Sequence, residues 1–459
     1  MIISHSARDR APISIALTGA NGGYGRTFLA QLSSTPEIRP AVLVDPDIDG
    51  LRDMLAELGI APQDAVVAQH PEDARRISDS GAIVLAAGMA ALDWSSIDVL
   101  VEACGHVGHG SAYAQTALEN DTHVVMVSKE VDTVAGVELN ALAARKGLSY
   151  LPGDGDQPAN LLRLLDWVAA VGLDIVAIGK AGEYDLCFDP TTGYVEQAGE
   201  LLHAPELGEL LELDKDVVGL LERRAQAVAQ LKRSAAADAC EMTVVGLRTG
   251  FAADVETMHY PVARINELAD IYAMEKDGGL LRQEGVLEVF SALRLPGEAS
   301  FAGGVFAIVR TGDPVTWEIL RGKGHVISRD GRYACIYWPY HYMGVETALT
   351  VHAAMDRRSV PAAKPGILLA ARASEDLPAG TSLAVAGHHH EITGVAPVMV
   401  APTPGAAPFY LLDGTTLTRS IAAGELIALD DVSGIDPRAL QLYLAGASIT
   451  ETTKNGVTQ

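Results

Sequence analysis

The chain has 459 residues, of which 48% are hydrophobic and 20% charged, so it has enough apolar material for packed cores and about three domains. Its 34 basic and 59 acidic residues give a formal net charge of −25. Such an acidic surface disfavours nucleic acid or an anionic membrane as the main partner, although a local basic pocket could still bind phosphate.

Cysteine usage and hydropathy predict the compartment. The four cysteines, Cys104, Cys187, Cys240 and Cys335, are widely spaced and form no Cys-x-x-Cys pair, which favours reduced thiols. The N-terminal sequence lacks an apolar core of signal-peptide length, and no later stretch reaches about 18 consecutive apolar residues. We therefore expect a soluble, cytoplasmic protein.

The first recognisable unit begins at Ile13 with the sequence ISIALTGANGGYG. An apolar run of strand type leads into glycines spaced three apart, and RTFLAQL follows with helical character. Glycine lets the backbone approach a pyrophosphate, and the N–H groups of the next helix then face that anion. The pattern predicts a dinucleotide-binding loop made of Gly19, Asn21, Gly22, Gly23, Tyr24, Gly25 and Arg26.

The choice of dinucleotide depends on the second predicted strand, PAVLVD, which ends at Asp45. An acidic side chain at this point can accept hydrogen bonds from a ribose 2′-hydroxyl, which favours NAD over NADP. Arg26 could instead meet a 2′-phosphate, so both cofactors stay open. The alternative interpretation is a glycine turn in an α/β domain that binds no nucleotide.

Two further predicted strands bring polar residues to the same edge of the sheet. IDVLVEACG (97–105) and HVVMVSKEVD (123–132) read as buried strands, separated by the amphipathic helix HGSAYAQTALEND. Ligands of an open parallel sheet bind outside the carboxyl ends of its strands. The residues expected to border a nicotinamide are therefore Cys104, Gly105, His106, Lys129 and Glu130. For His106 and His109, an exposed pair in a loop or at the start of a helix is at least as good an interpretation as a functional role.

A pair of aspartates follows in LPGDGDQPANLL, residues 151–162. The carboxylates of Asp154 and Asp156 lie on alternate residues and can converge on one hard cation if flanking glycines let the backbone bend. Mg²⁺ or Mn²⁺ held there would act as a Lewis acid and template. The alternative is an Asx-turn that caps the helix ANLLRLLDWVAAV without a metal.

The sequence after residue 162 predicts further strands and helices. DIVAIGKAGEYD (174–185), ASFAGGVFAIVRT and GRYACIYWPYHYM read as strands, and residues 206–239 read as a solvated amphipathic helix. RGKGHVISRDG, with Lys323 and His325, fits a lid or anion loop, or an ordinary basic hairpin. Residues 365–459 are typical of a small β-rich domain. Within them, His388 and His390 of GHHHEITG could pair with an acid as a metal site, but an exposed strand or turn is the better interpretation of this segment. The final ETTKNGVTQ reads as a tail.

The order of GANGGYG, VLVEACG and VVMVSKE resembles the cofactor domain shared by homoserine dehydrogenases and 1-deoxy-D-xylulose 5-phosphate reductoisomerases. The Lys129–Glu130 pair leans towards the reductoisomerases, in which a Pro-x-Asp-x-Glu segment downstream binds a divalent metal. The resemblance implies that Asp154 and Asp156 are metal ligands here. The family's Asn-Lys-x-x-x-Glu stretch, which supplies a third acid and holds phosphate, has no counterpart near residues 225–260. Candidates are Glu183, Asp254 or Glu256 for the acid and Lys180 for the cation, each of which also fits a solvated loop charge.

The later segments are similar to the homoserine dehydrogenase-like oxidoreductases that include the reductoisomerase-like enzyme DRL. They are GGVFAIVRTGDP (303–314), residues 321–347 and TLTRSIAAGELIALDDV (416–432). This resemblance implies an α/β fold in three parts. They are a Rossmann-type parallel-sheet domain at 1–150, a mixed α+β catalytic and oligomerisation domain at 151–364, and a SAF-like β-rich domain at 365–459. We expect a homo-oligomer, either a dimer or a tetramer.

The leading hypothesis is an NAD(P)H-dependent oxidoreductase acting on a phosphorylated or polyhydroxylated small molecule. Its expected catalytic residues are Lys129, Glu130, Asp154, Asp156 and Lys180. The resemblance implies metal-assisted rearrangement of 1-deoxy-D-xylulose 5-phosphate and reduction to 2-C-methyl-D-erythritol 4-phosphate, a step of isoprenoid precursor synthesis. The alternative is a homoserine dehydrogenase-like enzyme of a small hydroxy acid, amino alcohol or sugar acid. A different class of function is an NAD(H)-binding redox sensor without turnover.

Overall fold

A computed structural model of the protein describes residues 11–358 and 360–449, so the predicted tail at ETTKNGVTQ lies outside the described residues. The helices are α1 (Gly23–Leu32), α2 (Ile48–Glu57), α3 (Pro71–Asp79), α4 (Val107–Glu119), α5 (Lys129–Lys146), α6 (Gln157–Ala170), α7 (Val217–Ala227), α8 (Ala236–Thr249), α9 (Leu268–Ile271), α10 (Pro314–Gly322), α11 (Thr347–Met355) and α12 (Pro437–Ala447). No helix within the described ranges is long and apolar enough to cross a membrane.

The strands are short, as in most globular proteins. They are β1 (Ile13–Thr18), β2 (Ile38–Val44), β3 (Ala65–Val67), β4 (Ile83–Ala86), β5 (Val99–Glu102), β6 (His123–Met126), β7 (Tyr150–Pro152), β8 (Ile175–Ala181), β9 (Leu186–Asp189), β10 (Tyr194–Gln197), β11 (Glu200–His203), β12 (Ala252–Ala253), β13 (Val262–Ala263), β14 (Val286–Arg294), β15 (Val305–Arg310), β16 (Tyr333–Trp338), β17 (Leu368–Ala373), β18 (Ser382–Leu383), β19 (Val395–Val400), β20 (Thr415–Leu417) and β21 (Val432–Ser433).

The first seven strands form one sheet in the order β3-β4-β2-β1-β5-β6-β7, and every pairing in it is parallel. The chain moves from β1 to β2 on one side and later returns to place β5 on the other side of β1. The strand order therefore reverses between β1 and β5, which is where doubly wound sheets bind their ligands. This confirms the predicted Rossmann-type α/β fold.

The strands of this sheet read as continuous apolar runs because helices cover both faces. β5 and β6 are buried along their whole length. Leu17 of β1, Leu43 of β2 and Val101 of β5 belong to one core cluster, together with Phe28 of α1. The predicted strand at 123–132 is too long, since β6 ends at Met126 and α5 begins at Lys129.

The chain divides into two compact units whose boundaries differ from the predicted domain limits. The first unit comprises the described parts of Met1–Asp156, Tyr342–Pro365 and Ile435–Gln459, and the second comprises Gln157–His341 and Gly366–Gly434. Hydrophobic burial explains the difference. Val351 and Ala354 of α11 complete the core that contains Phe28, and Leu442 of α12 joins the core on the other sheet face.

The second unit is built on a mixed sheet in the order β11-β10-β9-β14-β8-β15-β16, with β12 and β13 also paired to β14. β8 runs parallel to β14 and antiparallel to β15. Two smaller antiparallel sheets, β17-β19 and β18-β20-β21, lie in the C-terminal part of this unit. The mixed and β-rich character predicted for these regions is confirmed.

The single solvated helix predicted over 206–239 is wrong. The segment contains a 3₁₀ turn at Pro205–Leu210, then α7, and only the start of α8. Asp216 ends the intervening loop by capping α7, where its carboxylate accepts from the N–H of Gly219 at 3.0 Å. α8 is buried along almost its whole length, so its periodicity does not mark a solvated face.

Candidate functional site

The glycine-rich loop connects β1 to α1 at the point where the strand order reverses. Gly19 adopts a left-handed φ of +62°, and a Cβ atom at this position would lie 2.3 Å from the carbonyl oxygen of Ala103. The N-cap of α1 is Gly22, which offers no side-chain cap. The first N–H groups of α1 are therefore left for an anion, as a pyrophosphate-binding loop requires.

Asp45 follows β2 and organises this loop through both carboxylate oxygens. Its Oδ2 atom accepts from the N–H of Asn21 and its Oδ1 atom from the N–H of Asp47, each at 3.0 Å. Each oxygen keeps a further lone pair for a ribose hydroxyl. Arg26, the candidate for a 2′-phosphate, instead forms an ion pair with Glu57 at 2.6 Å.

The end of β5 is held by a buried carboxylate that sequence analysis missed. Glu102 is fully buried, and its Oε1 atom accepts from the hydroxyl of Thr18 at 3.1 Å and the N–H of Cys104 at 3.0 Å. Burial, followed by the charge of Glu102, raises the pKa of the Cys104 thiol well above its ordinary value. Cys104 is therefore a neutral thiol at this strand end, and the N–H of Gly105 donates to the hydroxyl of Ser128 at 2.8 Å.

His106 and His109 form the helix-start pair allowed by their spacing. His106 is the N-cap of α4, and its Nδ1 atom accepts from the N–H of His109 at 3.2 Å. Their rings lie with centroids 4.4 Å apart. The side chain of His106 thus caps α4, and its predicted contact with the cofactor stays a prediction.

Lys129 and Glu130 lie in the first turn of α5 rather than at the end of a strand. Glu130 is buried, which raises its pKa to about 7, although Lys129 opposes this rise. The charges of Asp156 and Glu102 raise the pKa of Glu130 further. Lys129 and Glu130 thus lie together at the N-terminus of α5, beside the carboxyl ends of β5 and β6. The carboxyl group of Glu130 is partly protonated at neutral pH.

Asp154 and Asp156 flank Gly155 in a turn between β7 and α6. Gly155 has a φ of +89°, and a Cβ there would lie 2.6 Å from the carbonyl oxygen of Tyr342, so both the turn and the packing require glycine. Asp154 is buried, and Asp156 is half-buried. The carboxylate of Asp154 accepts from the hydroxyl of Thr350 at 2.6 Å.

The donor set for a metal is incomplete within residues 11–358 and 360–449, where no group of three or more His, Cys, Asp or Glu side chains could hold an ion. The three candidate third ligands have other partners in the second unit. Glu183 contacts His388 at 2.5 Å, Glu256 pairs with Arg372 at 2.8 Å, and Asp254 contacts Arg282 and His259. The described residues therefore do not complete a metal site around Asp154 and Asp156, and that site stays a prediction.

Lys180 of the second unit lies in β8 and is buried, with only 1% of its side chain exposed. Its Nζ atom donates to Asp238 at 2.8 Å and also contacts the carboxylate of Glu241. Both acids lie three residues apart on the buried helix α8, so they share a face. Neither acid was among the predicted site residues: Asp238 falls in the segment interpreted as a solvated helix, and Glu241 lies just beyond it, although an acid pair in the apolar run AADACEMTVVGL was a usable signal.

A cavity of about 290 Å³ borders this cluster in the second unit. Asp238 and Ser291 form part of its lining, and Arg233 contributes a guanidinium that donates to the carbonyl oxygen of Tyr260 at 3.4 Å. Tyr184 and His389 line the same cavity, with ring centroids 6.1 Å apart. The space is large enough for a small polar ligand.

Two loops, the histidine run 388–390 and the segment with Lys323 and His325, form contacts within their own surroundings. The histidine run 388–390 forms a turn, as predicted, in which His390 contacts the hydroxyl of Tyr410 at 3.0 Å. In the segment with Lys323 and His325, Arg321 donates to the carbonyl oxygen of Ser328 at 2.6 Å. This contact closes the segment back on α10, which includes Arg321 and Gly322, so the predicted loop begins as the end of a helix.

The protein is similar to several solved structures, each at low sequence identity. A DOX-P reductoisomerase in complex with magnesium is 18% identical over 38% of this chain and 46% of its own, with a TM-score of 0.27. The chain thus spans less than half the length of that enzyme. A putative oxidoreductase from Bacteroides fragilis is 13% identical, covering 77% of this chain and 92% of its own (TM-score 0.32). GenD2 from gentamicin A biosynthesis, in complex with NAD, is 13% identical, covering 76% and 88% (TM-score 0.35). No curated protein matches the sequence significantly.

Residues 155–347 match the family model described as "Oxidoreductase DRL, catalytic domain". The matched segment is less than half of the chain, and it contains Asp156, Lys180, Asp238 and Glu241. The predicted homoserine dehydrogenase-like relationship and the SAF-like domain stay predictions. Residues 155–347 are thus similar to an oxidoreductase catalytic domain, and the first unit has the doubly wound sheet in which dinucleotides bind at the point of strand reversal.

Proposed function

We propose that the protein is an NAD(P)-dependent oxidoreductase whose dinucleotide binds across the carboxyl ends of β1, β2 and β5. The observation that carries this proposal is the glycine-rich loop at the point of strand reversal, with the uncapped start of α1 on one side and Asp45 on the other. The pyrophosphate would accept from the N–H groups of α1, and a ribose hydroxyl would donate to Asp45.

We further propose that NAD is preferred to NADP. Asp45 and Asp47 place two carboxylates beside the loop, and Arg26 is neutralised by Glu57. A 2′-phosphate would bring additional negative charge next to these two carboxylates, which is electrostatically unfavourable. The 2′-hydroxyl of NAD instead gives Asp45 a donor.

Asp45→Ala is expected to reduce the preference for NADH. The substitution removes the ribose acceptor and also loosens the loop by removing two backbone contacts, so both affinities fall, but the Kd for NADH rises by about tenfold or more relative to NADPH. Titration of NADH and NADPH fluorescence gives the two constants. Asp49→Ala is the control, because it removes an exposed acid of the same stretch. An equal loss of both affinities would show that Asp45 does not contact the ribose.

A bound nicotinamide would supply hydride to the carbon of a substrate carbonyl group. The carbonyl oxygen would then take up the electron pair of the double bond and need a proton. We assign that proton to Nζ of Lys129, at the N-terminus of α5, where the helix dipole also favours negative charge on the oxygen. Asp154 and Asp156 would hold the hydroxyl groups of the substrate, and Lys180 stays a catalytic candidate of the second unit.

For the substrate we propose 1-deoxy-D-xylulose 5-phosphate, on the strength of the match to the DRL catalytic domain and the Asp154–Asp156 pair. Consumption of NADPH and NADH with this compound, with and without Mn²⁺, should be measured for wild type and Asp154→Asn. Turnover lost in Asp154→Asn supports the proposal. Turnover only with other carbonyl substrates, such as keto acids, would favour the homoserine dehydrogenase-like alternative, and dinucleotide binding without any turnover would favour a sensor.

Replacing Glu130 with glutamine is expected to remove part of the pH dependence of stability. Folded Glu130 has a pKa of about 7, against an ordinary value of 4.5. Between these values the folded state holds a proton that the unfolded state has lost, so stability falls as the pH rises through this window, by about 3 kcal/mol in total.

Urea unfolding of wild type and Glu130→Gln at about pH 5 and about pH 8 measures this effect. The variant should lose less stability than wild type between the two pH values. Glu37→Gln, which removes an exposed acid, should behave as wild type. Parallel pH profiles for wild type and Glu130→Gln would show that burial does not perturb Glu130.

A further inference from the structure

Residues 342–350, which we call the clamp, belong to the first unit, to which the chain returns after residues 157–341 of the second unit, and they contact two turns of the first unit. The backbone of Gly344 packs against the backbone of Tyr24 and Phe28 at the start of α1. The carbonyl oxygen of Tyr342 lies against Gly155 in the acid turn. One short segment therefore contacts both the glycine-rich loop and the turn that carries Asp154.

A chain of hydroxyl groups joins these turns through Tyr24 and Thr347. The two hydroxyls are in hydrogen-bond contact, and Thr347 donates to the carbonyl oxygen of Asp154 at 3.3 Å. The hydroxyl of Tyr24 lies 3.4 Å from the same carbonyl oxygen. Because each hydroxyl has one proton, one of the two hydroxyls donates to the other, and the second donates to the carbonyl oxygen of Asp154.

Tyr24 stays protonated in this chain, as donation requires. Burial raises its pKa well above the ordinary value, and although the Thr347 contact opposes this rise, the charges of Asp156 and Asp154 add to it. The hydroxyl of Tyr24 therefore contacts the clamp and the acid turn, whereas the sequence pattern had assigned Tyr24 to the dinucleotide.

Thr350 fixes both the backbone and the side chain of Asp154 with a single hydroxyl group. It donates to Oδ2 of Asp154 at 2.6 Å and accepts from the N–H of Asp154 at 2.7 Å. Thr350 and Asp154 are both buried, so water competes little for these bonds. A hydrogen bond to a charged acceptor is among the stronger ones in proteins.

We propose that Tyr24, Thr347 and Thr350 are positioning residues that hold Asp154 and couple the acid turn to occupancy of the dinucleotide loop. Thr350 sets the direction of the Asp154 carboxylate, and Tyr24 transmits ordering of the glycine-rich loop through Thr347 to the Asp154 carbonyl. This inference rests on the proposed function, since the occupant of the loop is the dinucleotide.

Hydrogen exchange measured by mass spectrometry on the full chain, with and without NADH, tests this coupling. In wild type, NADH should slow exchange in peptides covering α1 and also in those covering residues 150–156. In Tyr24→Phe, protection of α1 should remain while protection of the turn is lost. In Thr350→Val, the turn should exchange about 10- to 100-fold faster than in wild type even without NADH, and Thr350→Ser should restore the wild-type rate.

Two further readouts separate positioning from general destabilisation. The Kd for NADH should change less than about twofold in Thr350→Val, whereas kcat with a substrate that wild type reduces should fall by about tenfold or more. Thr192→Val is the matched control, because it removes an exposed Thr–Asp hydrogen bond of 3.0 Å in the second unit.

The outcomes distinguish this inference from the proposed function. If NADH protects neither α1 nor the turn in wild type, the proposed dinucleotide site fails and the coupling fails with it. If NADH protects α1 but not the turn, or if turn protection survives in Tyr24→Phe, the coupling is overturned while the dinucleotide site stands. If Thr350→Ser behaves as Thr350→Val, the hydroxyl of Thr350 does not position Asp154.

Discussion

Gly19→Ala is expected to destabilise the first unit by about 3–5 kcal/mol and to abolish dinucleotide binding. The substitution forces a side chain into a left-handed conformation at φ +62°, and its Cβ would meet the carbonyl oxygen of Ala103 at 2.3 Å. Ala103 follows β5 directly, so it can retreat only by disturbing the β1–β5 pairing at the strand-reversal point. Thermal unfolding and NADH fluorescence titration measure the two losses.

Gly59→Ala is the control that separates the backbone strain of a left-handed φ from the steric clash of the added Cβ atom. Gly59 also has a left-handed φ, +82°, but no heavy atom lies within 4 Å of the position that its Cβ would occupy. We expect this variant to lose only about 1 kcal/mol and to bind NADH as wild type does. Equal losses in the two variants would mean that the close approach of the loop to β5 contributes nothing.

Lys180→Met is expected to destabilise the second unit by about 3–5 kcal/mol, because it leaves the buried carboxylates of Asp238 and Glu241 without this cation. The loss should be smaller at low pH, where the two acids can be protonated rather than charged. Thermal unfolding at about pH 5 and about pH 8 tests both the size and the direction of the effect.

Lys232→Met provides the comparison for Lys180. Lys232 pairs with Glu391 at the surface, with 38% and 61% of the two side chains exposed. Water screens such a pair, so its removal should change stability by less than about 1 kcal/mol. If Lys180→Met were equally mild, the cluster around Lys180 would have to be solvated or compensated by other groups.

The first unit could be predicted from sequence because its signals are local. Continuous apolar runs mark buried parallel strands, and the carboxyl ends of such strands share one edge, so Asp45 and the Lys129–Glu130 pair could be placed near the glycine-rich loop without coordinates. The error at Lys129 was small. Only two residues separate the end of β6 at Met126 from the start of α5 at Lys129, and Val131 in the first turn of α5 makes the helix resemble a continuation of the strand.

The contacts that hold the candidate site together were beyond this kind of reasoning. Thr350 lies 196 residues from Asp154 in sequence, and nothing in ETALTVH distinguishes a buried hydroxyl that holds a carboxylate from any other helical threonine. The Lys180–Asp238–Glu241 cluster depends on the burial of α8, and periodicity alone cannot tell a buried helix from a solvated one when its residues are mostly small.

The discontinuity of the first unit has a consequence for synthesis of the chain on the ribosome. The sheet from β1 to β7 emerges first, but α11 and α12, which cover parts of its two apolar cores, emerge only after residues 157–341 and 366–434 respectively. A nascent chain that stops at residue 341 therefore leaves the surfaces beneath Val351, Ala354 and Leu442 uncovered. Such chains should bind chaperones or aggregate until α11 and α12 have emerged.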